Sequence, residues 1–428
     1  MIFGCIGEHL THSFSAEIHH VLSKQPYDIW EVPRAQLDSF MRARDFCGIN
    51  VTIPYKEAIL PYLFWMSEQA KEIGAVNTVI NRKGKLYGYN TDFFGMQDML
   101  RYAGIPLRDK KVAVLGTGGT ARTALAVANA LGAECTILVS RNPSERAVSY
   151  ETLLNEYSDT EILINTTPCG MYPHADGNEQ IRAVAVNVAD FPSLCGVVDA
   201  VYNPLRTNLI LDAQKRGVPA VSGLYMLVAQ AVRASELFLE RSYPQEIIES
   251  VYRSILRQKE NVVLTGMPSC GKSSVGKRLA RALKRPFYDL DSEIEKRMEC
   301  KIADLICSKG EDAFRNIETM VLREVLSQKN GIVLATGGGT VLRDENVDLL
   351  RRNGRIFFID RPLDLLIPTA DRPLSSNASM MKKRYEERYS RYCAVADACV
   401  DGNGSVKEVE MRMQREWTKD ENLYFKRS

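Results

Sequence analysis

Asn261-Val-Val-Leu-Thr-Gly266-Met-Pro-Ser-Cys-Gly271-Lys272-Ser273-Ser274 decides the architecture of the second half of this chain. A β-branched apolar run enters a glycine-bounded turn, and an amphipathic helical pattern, Val275 to Leu283, follows. The turn is a complete G-x-x-x-x-G-K-S, a spacing that acquires meaning between a strand and a helix. Bare backbone N–H groups there surround phosphate oxygens at the positive end of the helix. Gly266, Gly271, Lys272, Ser273 and Ser274 are therefore candidate nucleotide contacts. Lys272 would reach the outer phosphates and Ser273 would ligate Mg²⁺.

A second strand, turn and helix lies upstream. Lys110 to Leu115 (KKVAVL) reads as a buried strand, Ala121 to Leu131 as a small-residue helix and Thr136 to Val139 as the next strand. Between the first two stands Gly116-Thr-Gly118-Gly119-Thr-Ala121, a G-x-G-x-x-A turn that in this β-α-β context predicts a bound dinucleotide. An NAD site usually places Asp or Glu at the end of the second strand. Here the position offers Ser140 and Arg141, with Arg146 nearby, which suits a 2′-phosphate and predicts NADP(H).

Strand-like runs alternating with helical patterns predict an α/β protein with mostly parallel sheets. The 428 residues predict two or three domains. Pro244 to Arg257 reads as a helix with one apolar face, and Gln258 to Glu260 as a polar break, which puts the main boundary near residue 258. A net charge of +2 with 25% charged residues offers no field for nucleic acid or an anionic membrane and favours small-molecule chemistry. Ten Cys without a C-x-x-C pair read as reduced core thiols of a cytoplasmic protein. Five His ending at His174 form no metal pattern, so no structural metal is expected. Neither a signal peptide at MIFGCIGEHL nor a membrane span is predicted, and ENLYFKRS reads as a tail outside the fold, similar to a protease-tag remnant.

Downstream of the phosphate cradle, Asp289 and Asp291 end a strand (PFYDLD). Arg315 and Glu318 share a helix face, and Gly337-Gly338-Gly339 follows the strand IVLAT. Arg372-Pro-Leu lies in a loop and Arg388 to Tyr392 on a late helix. In order and spacing these resemble shikimate kinase over about residues 261 to 417. The resemblance implies that Asp289 helps hold Mg²⁺ and that Asp291 binds hydroxyls near the attacking oxygen. Arg315 and Arg388 would clamp the shikimate carboxylate beside Gly337, Gly338 and Gly339. Arg372 would neutralise developing phosphoryl charge on ATP. Paired guanidinium groups suit a small carboxylate. The segment before Arg372, LDLLIPTADRPLSS, is shorter and more apolar than the family's.

Ahead of the dinucleotide turn lie His12-Ser13-Phe-Ser15, Asn50-Val-Thr52-Ile-Pro-Tyr-Lys56, Gly74-Ala-Val-Asn77-Thr78 and Asn90-Thr91-Asp92. With Asn165-Thr-Thr-Pro-Cys-Gly170 and Leu227-Val-Ala-Gln230 they resemble shikimate dehydrogenase across residues 1 to about 258. That implies that Ser13, Ser15, Thr52, Asn77, Asp92 and Gln230 hold the substrate and that Lys56 and Asp92 form the catalytic pair. Tyr202 and Met226 would border the nicotinamide. A lysine beside the ketone oxygen can supply or steer its proton while the aspartate orients the lysine.

The expected architecture is thus an α/β substrate domain (1–101 and 224–258) enclosing a Rossmann NADP-binding domain (102–223). A P-loop kinase with a helix-flanked parallel sheet (259–417) follows, then a tail (418–428). The expected chemistry is reduction of 3-dehydroshikimate to shikimate with NADPH, then phosphorylation of shikimate with ATP. An NAD-linked quinate/shikimate dehydrogenase fused to the kinase is the alternative, and a metabolite-sensing pseudoenzyme is another. The oligomeric state stays open.

Overall fold

The computed structural model describes residues 2–8, 10, 14–23, 25–173, 175, 185–244, 246–367 and 378–419. The described chain divides into two compact units, with the boundary between Leu256 and Arg257.

The first unit holds two sheets. Strands β1 (Phe3–Gly7), β2 (Tyr27–Glu31), β3 (Gly48–Val51), β4 (Trp65–Met66), β5 (Thr78–Arg82) and β6 (Lys85–Tyr89) align in the order β2-β1-β3-β5-β6-β4. This sheet is mixed, because β3, β5 and β6 pair antiparallel. The reversal turns on Lys83-Gly84, both at positive φ, the two-residue geometry that matches the twist of a hairpin. Lysine at the first turn position hid it from a reading based on glycine, asparagine and aspartate.

The second sheet is all parallel: β7 (Lys111–Leu115), β8 (Cys135–Val139), β9 (Ile162–Asn165), β10 (Gly196–Asp199) and β11 (Ala220–Ser222), ordered β11-β10-β9-β7-β8. Strands β7, β9 and β10 are buried along almost their whole length and so read as apolar runs. The order reverses at β7, which opens a crevice beyond the end of that strand. Helix Leu224–Leu239 then returns to pack along helix Thr91–Ala103. Tyr225 stacks on Tyr102 with ring centroids 4.1 Å apart, and Tyr252 meets both rings from helix Glu246–Lys259. That helix runs through Gln258 and Lys259, where a break was expected. Both are good helix formers, and only Glu260 separates them from the next strand.

The second unit is built on β12 (Asn261–Thr265), β13 (Phe287–Asp289), β14 (Val333–Ala335), β15 (Gly354–Asp360) and β16 (Ala398–Asp401), all parallel, ordered β13-β14-β12-β15-β16. Its reversal point is β12, the strand that feeds the phosphate cradle. Helix Lys272–Leu283 follows directly, and the core beneath joins Val263, Leu264, Leu322, Phe357 and Tyr392.

The thiols differ from the sequence expectation. Only Cys5 and Cys270 are buried, whereas Cys135, Cys195, Cys307, Cys393 and Cys399 are exposed. Among the described residues no helix is long and apolar enough to cross a membrane, and no group of three or more His, Cys, Asp or Glu could hold a metal ion.

Candidate active sites

In the first unit the short helix Tyr55–Ala58 carries Lys56, and helix Thr91–Ala103 carries Asp92 in its first turn. Lys56 Nζ donates to Asp92 Oδ2 at 2.6 Å, with both side chains largely shielded from solvent. Two features hold this contact. The Lys56 carbonyl accepts from Val76 N–H at 2.8 Å, which ties the short helix to the chain entering β5. The Asn90 side chain caps the Asp92 helix by accepting from Phe93 N–H and donates to the Ala75 carbonyl at 3.0 Å.

Beside the pair, Asn77 Oδ1 accepts from Thr91 N–H at 2.7 Å, and Asn77 Nδ2 donates to Thr91 Oγ1 at 3.0 Å. Thr91 Oγ1 also reaches Gln230 Oε1 at 3.4 Å, while Gln230 Nε2 donates to the Leu227 carbonyl. The fold therefore gathers Lys56, Asn77, Asp92 and Gln230 from four segments. Thr52 stands at the end of β3, its N–H donating to the Ile6 carbonyl. Ser15 opens helix Ser15–Ser23, and Ser13 lies outside the described residues. Below, Tyr27 Oη donates to Asn50 Oδ1 at 2.7 Å and stacks on His19, whose imidazole burial pushes down to about 3. His19 is thus a neutral ring of the core. Tyr202 is half-buried against Phe14, and Met226 is buried.

At the dinucleotide turn Gly116 has φ +116°, and a Cβ there would stand 2.6 Å from Thr166 Oγ1. Gly118 caps helix Gly119–Ala130, which begins two residues earlier than its apolar pattern and carries Ala121 buried. The helix N-terminus faces the crevice at the end of β7. Ser140 follows β8 and accepts from Asn142 N–H, and the exposed Arg141 and Arg146 lie in the same turn.

In the second unit Lys272 is buried, its Nζ donating to the Gly266 and Met267 carbonyls at 2.9 Å each, so the ammonium already points into the cradle. Ser273 Oγ donates to Asp289 Oδ2 at 2.5 Å, which brings two hard oxygen donors together beside the cradle. Ser274 is exposed in the same first turn. Asp291 lies in the opening turn of helix Leu290–Met298, because β13 ends at Asp289, which caps that helix. The strand expected through Asp291 is shorter for that reason.

Arg315 donates to Glu318 Oε2 at 2.8 Å and to Glu311 Oε1 at 3.0 Å. Burial alone would lower its pKa, but the two carboxylates hold the guanidinium above its ordinary value. Glu318 is fully buried and also accepts from Thr340 Oγ1 at 2.6 Å. Arg388 Nη1 and Tyr392 Oη both donate to the Gly338 carbonyl. A Cβ at Gly337 would stand 2.8 Å from Asp291 Oδ1, and one at Gly339 would collide with the Arg315 guanidinium. Asp291, Arg315, the three glycines and Arg388 therefore meet at one place. Arg372 lies outside the described residues.

Residues 5–79 match the model of the shikimate dehydrogenase substrate binding domain, and residues 268–417 match that of shikimate kinase. A shikimate dehydrogenase (NADP(+)) of Clostridium perfringens is 36% identical over 271 residues, which span 59% of this chain and 98% of the relative. The chain belongs to the shikimate dehydrogenase family. Its C-terminal part is a shikimate kinase domain, so the polypeptide is a fusion of two shikimate-pathway enzymes. Among solved structures, shikimate dehydrogenase 1 of Peptoclostridium difficile is 32% identical, with a TM-score of 0.54 over 59% of this chain and 97% of that one. The Thermus thermophilus enzyme, solved with NADP(H) and shikimate, is 29% identical, with a TM-score of 0.52 over 59% of this chain and 99% of that one.

Within the dehydrogenase part, sequence reasoning gave Thr91 no role, although its hydroxyl links Asn77, Thr78 and Gln230. Its place between the helix cap Asn90 and Asp92 was the available signal. In the kinase domain Glu318 was noted only as a helix neighbour of Arg315, and its hold on Thr340 depends on a contact 22 residues away.

Proposed function

We propose that the N-terminal part reduces 3-dehydroshikimate to shikimate with NADPH, and that the kinase domain transfers a phosphoryl group from ATP to shikimate, giving shikimate 3-phosphate. The observation that carries the reading is the shielded Lys56–Asp92 contact among Asn77, Thr91 and Gln230, a charged pair ringed by groups suited to a hydroxylated carboxylate.

In the first reaction NADPH, when bound, supplies the hydride. Lys56 delivers or steers the proton to the ketone oxygen, and Asp92 keeps the ammonium oriented. Ser13, Ser15, Thr52, Asn77 and Gln230 orient the substrate. Gly116, Gly118, Gly119 and Ala121 leave room for the pyrophosphate, and Ser140, Arg141 and Arg146 hold the 2′-phosphate. In the second reaction Gly266, Gly271, Lys272 and Ser274 hold the phosphates. Ser273 and Asp289 would hold Mg²⁺, and their converging oxygens fit it. Arg315 and Arg388 hold the carboxylate beside Gly337, Gly338 and Gly339, Asp291 orients the attacking hydroxyl, and Arg372 neutralises charge on the transferred group.

The test measures NADPH and NADH oxidation with 3-dehydroshikimate, and ADP release with and without shikimate. NADPH-selective reduction and shikimate-dependent ADP release are expected. Selectivity for NADH would favour the quinate/shikimate alternative. Loss of both activities in the intact chain would leave only a metabolite-sensing role.

A further inference from the structure

Three successive side chains fix the short helix Tyr55–Ala58, each to a different part of the first unit. Buried Tyr55 donates to the Val32 carbonyl in the core of the first sheet, and Lys56 donates to Asp92. Glu57 Oε1 accepts from Arg122 Nη2. Arg122 belongs to helix Gly119–Ala130, which leaves the glycine turn after β7. This ion pair therefore joins the helix that carries Lys56 to the helix whose N-terminus faces the dinucleotide crevice.

Local preference does not explain an arginine at this position. Arg122 lies in the opening turn of its helix, its N–H donating to the Gly118 carbonyl at 3.1 Å, where the helix dipole disfavours a cation. Its guanidinium also lies against a second support of the Lys56–Asp92 pair: a Cβ on Gly74 would stand 3.5 Å from Arg122 Nη1. Gly74 ends helix Glu68–Ile73 at φ +68°. The next two residues, Ala75 and Val76, anchor the Asn90 side chain and the Lys56 carbonyl. One arginine at the dinucleotide turn thus bears on both segments that hold the pair. The Glu57 and Arg122 side chains are 61% and 36% exposed, and such a pair shifts an equilibrium only a few-fold, so its effect falls on alignment more than on folding.

We propose that Arg122 and Glu57 are positioning residues that couple the dinucleotide site to the Lys56–Asp92 pair, so that each ligand of the dehydrogenase site tightens the binding of the other. This coupling rests on the dehydrogenase reading proposed above and deepens it. A pyrophosphate held by backbone N–H groups at the start of helix Gly119–Ala130 fixes the turn from which Arg122 projects. Arg122 then holds Glu57, and with it the helix that aims Lys56 at Asp92 and at the substrate oxygen. Substrate bound against Lys56 acts in reverse, because coupling between two binding sites is reciprocal. With the ion pair broken, both ligands still bind, but they do so independently and align less often for hydride transfer.

The full chain is titrated with NADPH, followed by its fluorescence, with and without saturating shikimate. This pair of ligands cannot react because both are already reduced, and shikimate bound by the kinase domain does not register in the signal. In the wild-type chain shikimate is expected to tighten NADPH binding several-fold. Glu57→Gln and Arg122→Gln should each remove that gain and lower kcat for 3-dehydroshikimate reduction several-fold. The Kd for NADPH without shikimate should stay near wild type, which also shows that the variants are folded. The double variant should lose no more than either single one, and Arg122→Lys, which keeps the charge, should keep part of the gain. Absence of the gain in the wild-type chain, or losses that add in the double variant, overturns the proposal. So does an Arg122→Gln chain that binds NADPH poorly without shikimate while Glu57→Gln is silent, since Arg122 would then contact the dinucleotide itself. Failure of the dehydrogenase reading is separately visible as wild-type chain that does not oxidise NADPH with 3-dehydroshikimate.

Discussion

Lys56 Nζ lies 2.6 Å from Asp92 Oδ2, across 36 residues of chain, because a four-residue helix and the capped start of a thirteen-residue helix are tied to two adjacent residues, Val76 and Ala75. Rigid anchoring at both ends suits a group that must meet a substrate oxygen in one geometry. Lys56→Met and Asp92→Asn are each expected to lower kcat for 3-dehydroshikimate reduction by about 10²–10⁴. ADP release by the kinase domain should be untouched. Steady-state NADPH oxidation checks this, and a variant that raises only KM would reduce the pair to a binding role.

Asp199, fully buried at the end of β10, accepts from Asn165 Nδ2, Val201 N–H and Thr207 Oγ1. Burial nevertheless outweighs these donors and pushes its carboxyl up to about 7. Between about pH 4, the unfolded value, and about 7 the folded state holds a proton that the unfolded chain has lost. Stability contributed at this residue is therefore full below that window and falls as pH rises through it, by on the order of a few kcal/mol. Asp199→Asn keeps an acceptor for two of the donors and removes the titration, so the decline of Tm across the window should flatten. Asp199→Ala should lower Tm at every pH, since each buried donor left unsatisfied costs about 1–3 kcal/mol. An Asn variant with the wild-type pH slope would show that the carboxyl stays ionised in the fold.

Both glycine-bounded turns were legible because each is a short motif framed by its own strand and helix, as at Gly116 and Gly266 to Ser273. The pieces of the substrate sites were legible as types, since Lys56, Asp92, Arg315 and Arg388 occur in recognisable local company. What escaped depends on long-range meeting or on an atypical local residue. Thr91 becomes a hub only when the helix bearing Gln230 returns 139 residues later. The Lys83-Gly84 hairpin put a left-handed lysine where no turn residue signalled it, which cost the mixed character of the first sheet.

Lys272 spans the cradle to its own Gly266 and Met267 carbonyls, so its ammonium is already held in the turn proposed to take the phosphates. Lys272→Ala removes the charge aimed at the transferred group. By comparison with other lost stabilising donors it should lower kcat for ADP release by at least about 10². NADPH oxidation measured in the same sample should remain at the wild-type rate. A parallel loss in both assays would indicate misfolding instead of lost chemistry.

Gly339 has an ordinary negative φ, so replacing it tests space alone. A Cβ there would run into the Arg315 guanidinium, which the buried Glu318 and the nearby Glu311 hold in position. The arginine must then move away from the proposed acid-binding position or strain against a fully buried carboxylate, whereas the contacts of Lys272 with Gly266 and Met267 involve neither residue. Gly339→Ala should therefore raise KM for shikimate several-fold, or about 1 kcal/mol of binding, and leave KM for ATP near wild type. Arg315→Lys should show the same asymmetry, because an ammonium cannot reproduce the fork that engages two carboxylates while facing a third. Initial-rate measurements with each substrate varied in turn decide the matter. Equal rises in both KM values would place the disturbance in the fold of the domain, whereas a rise confined to shikimate would locate it at Arg315.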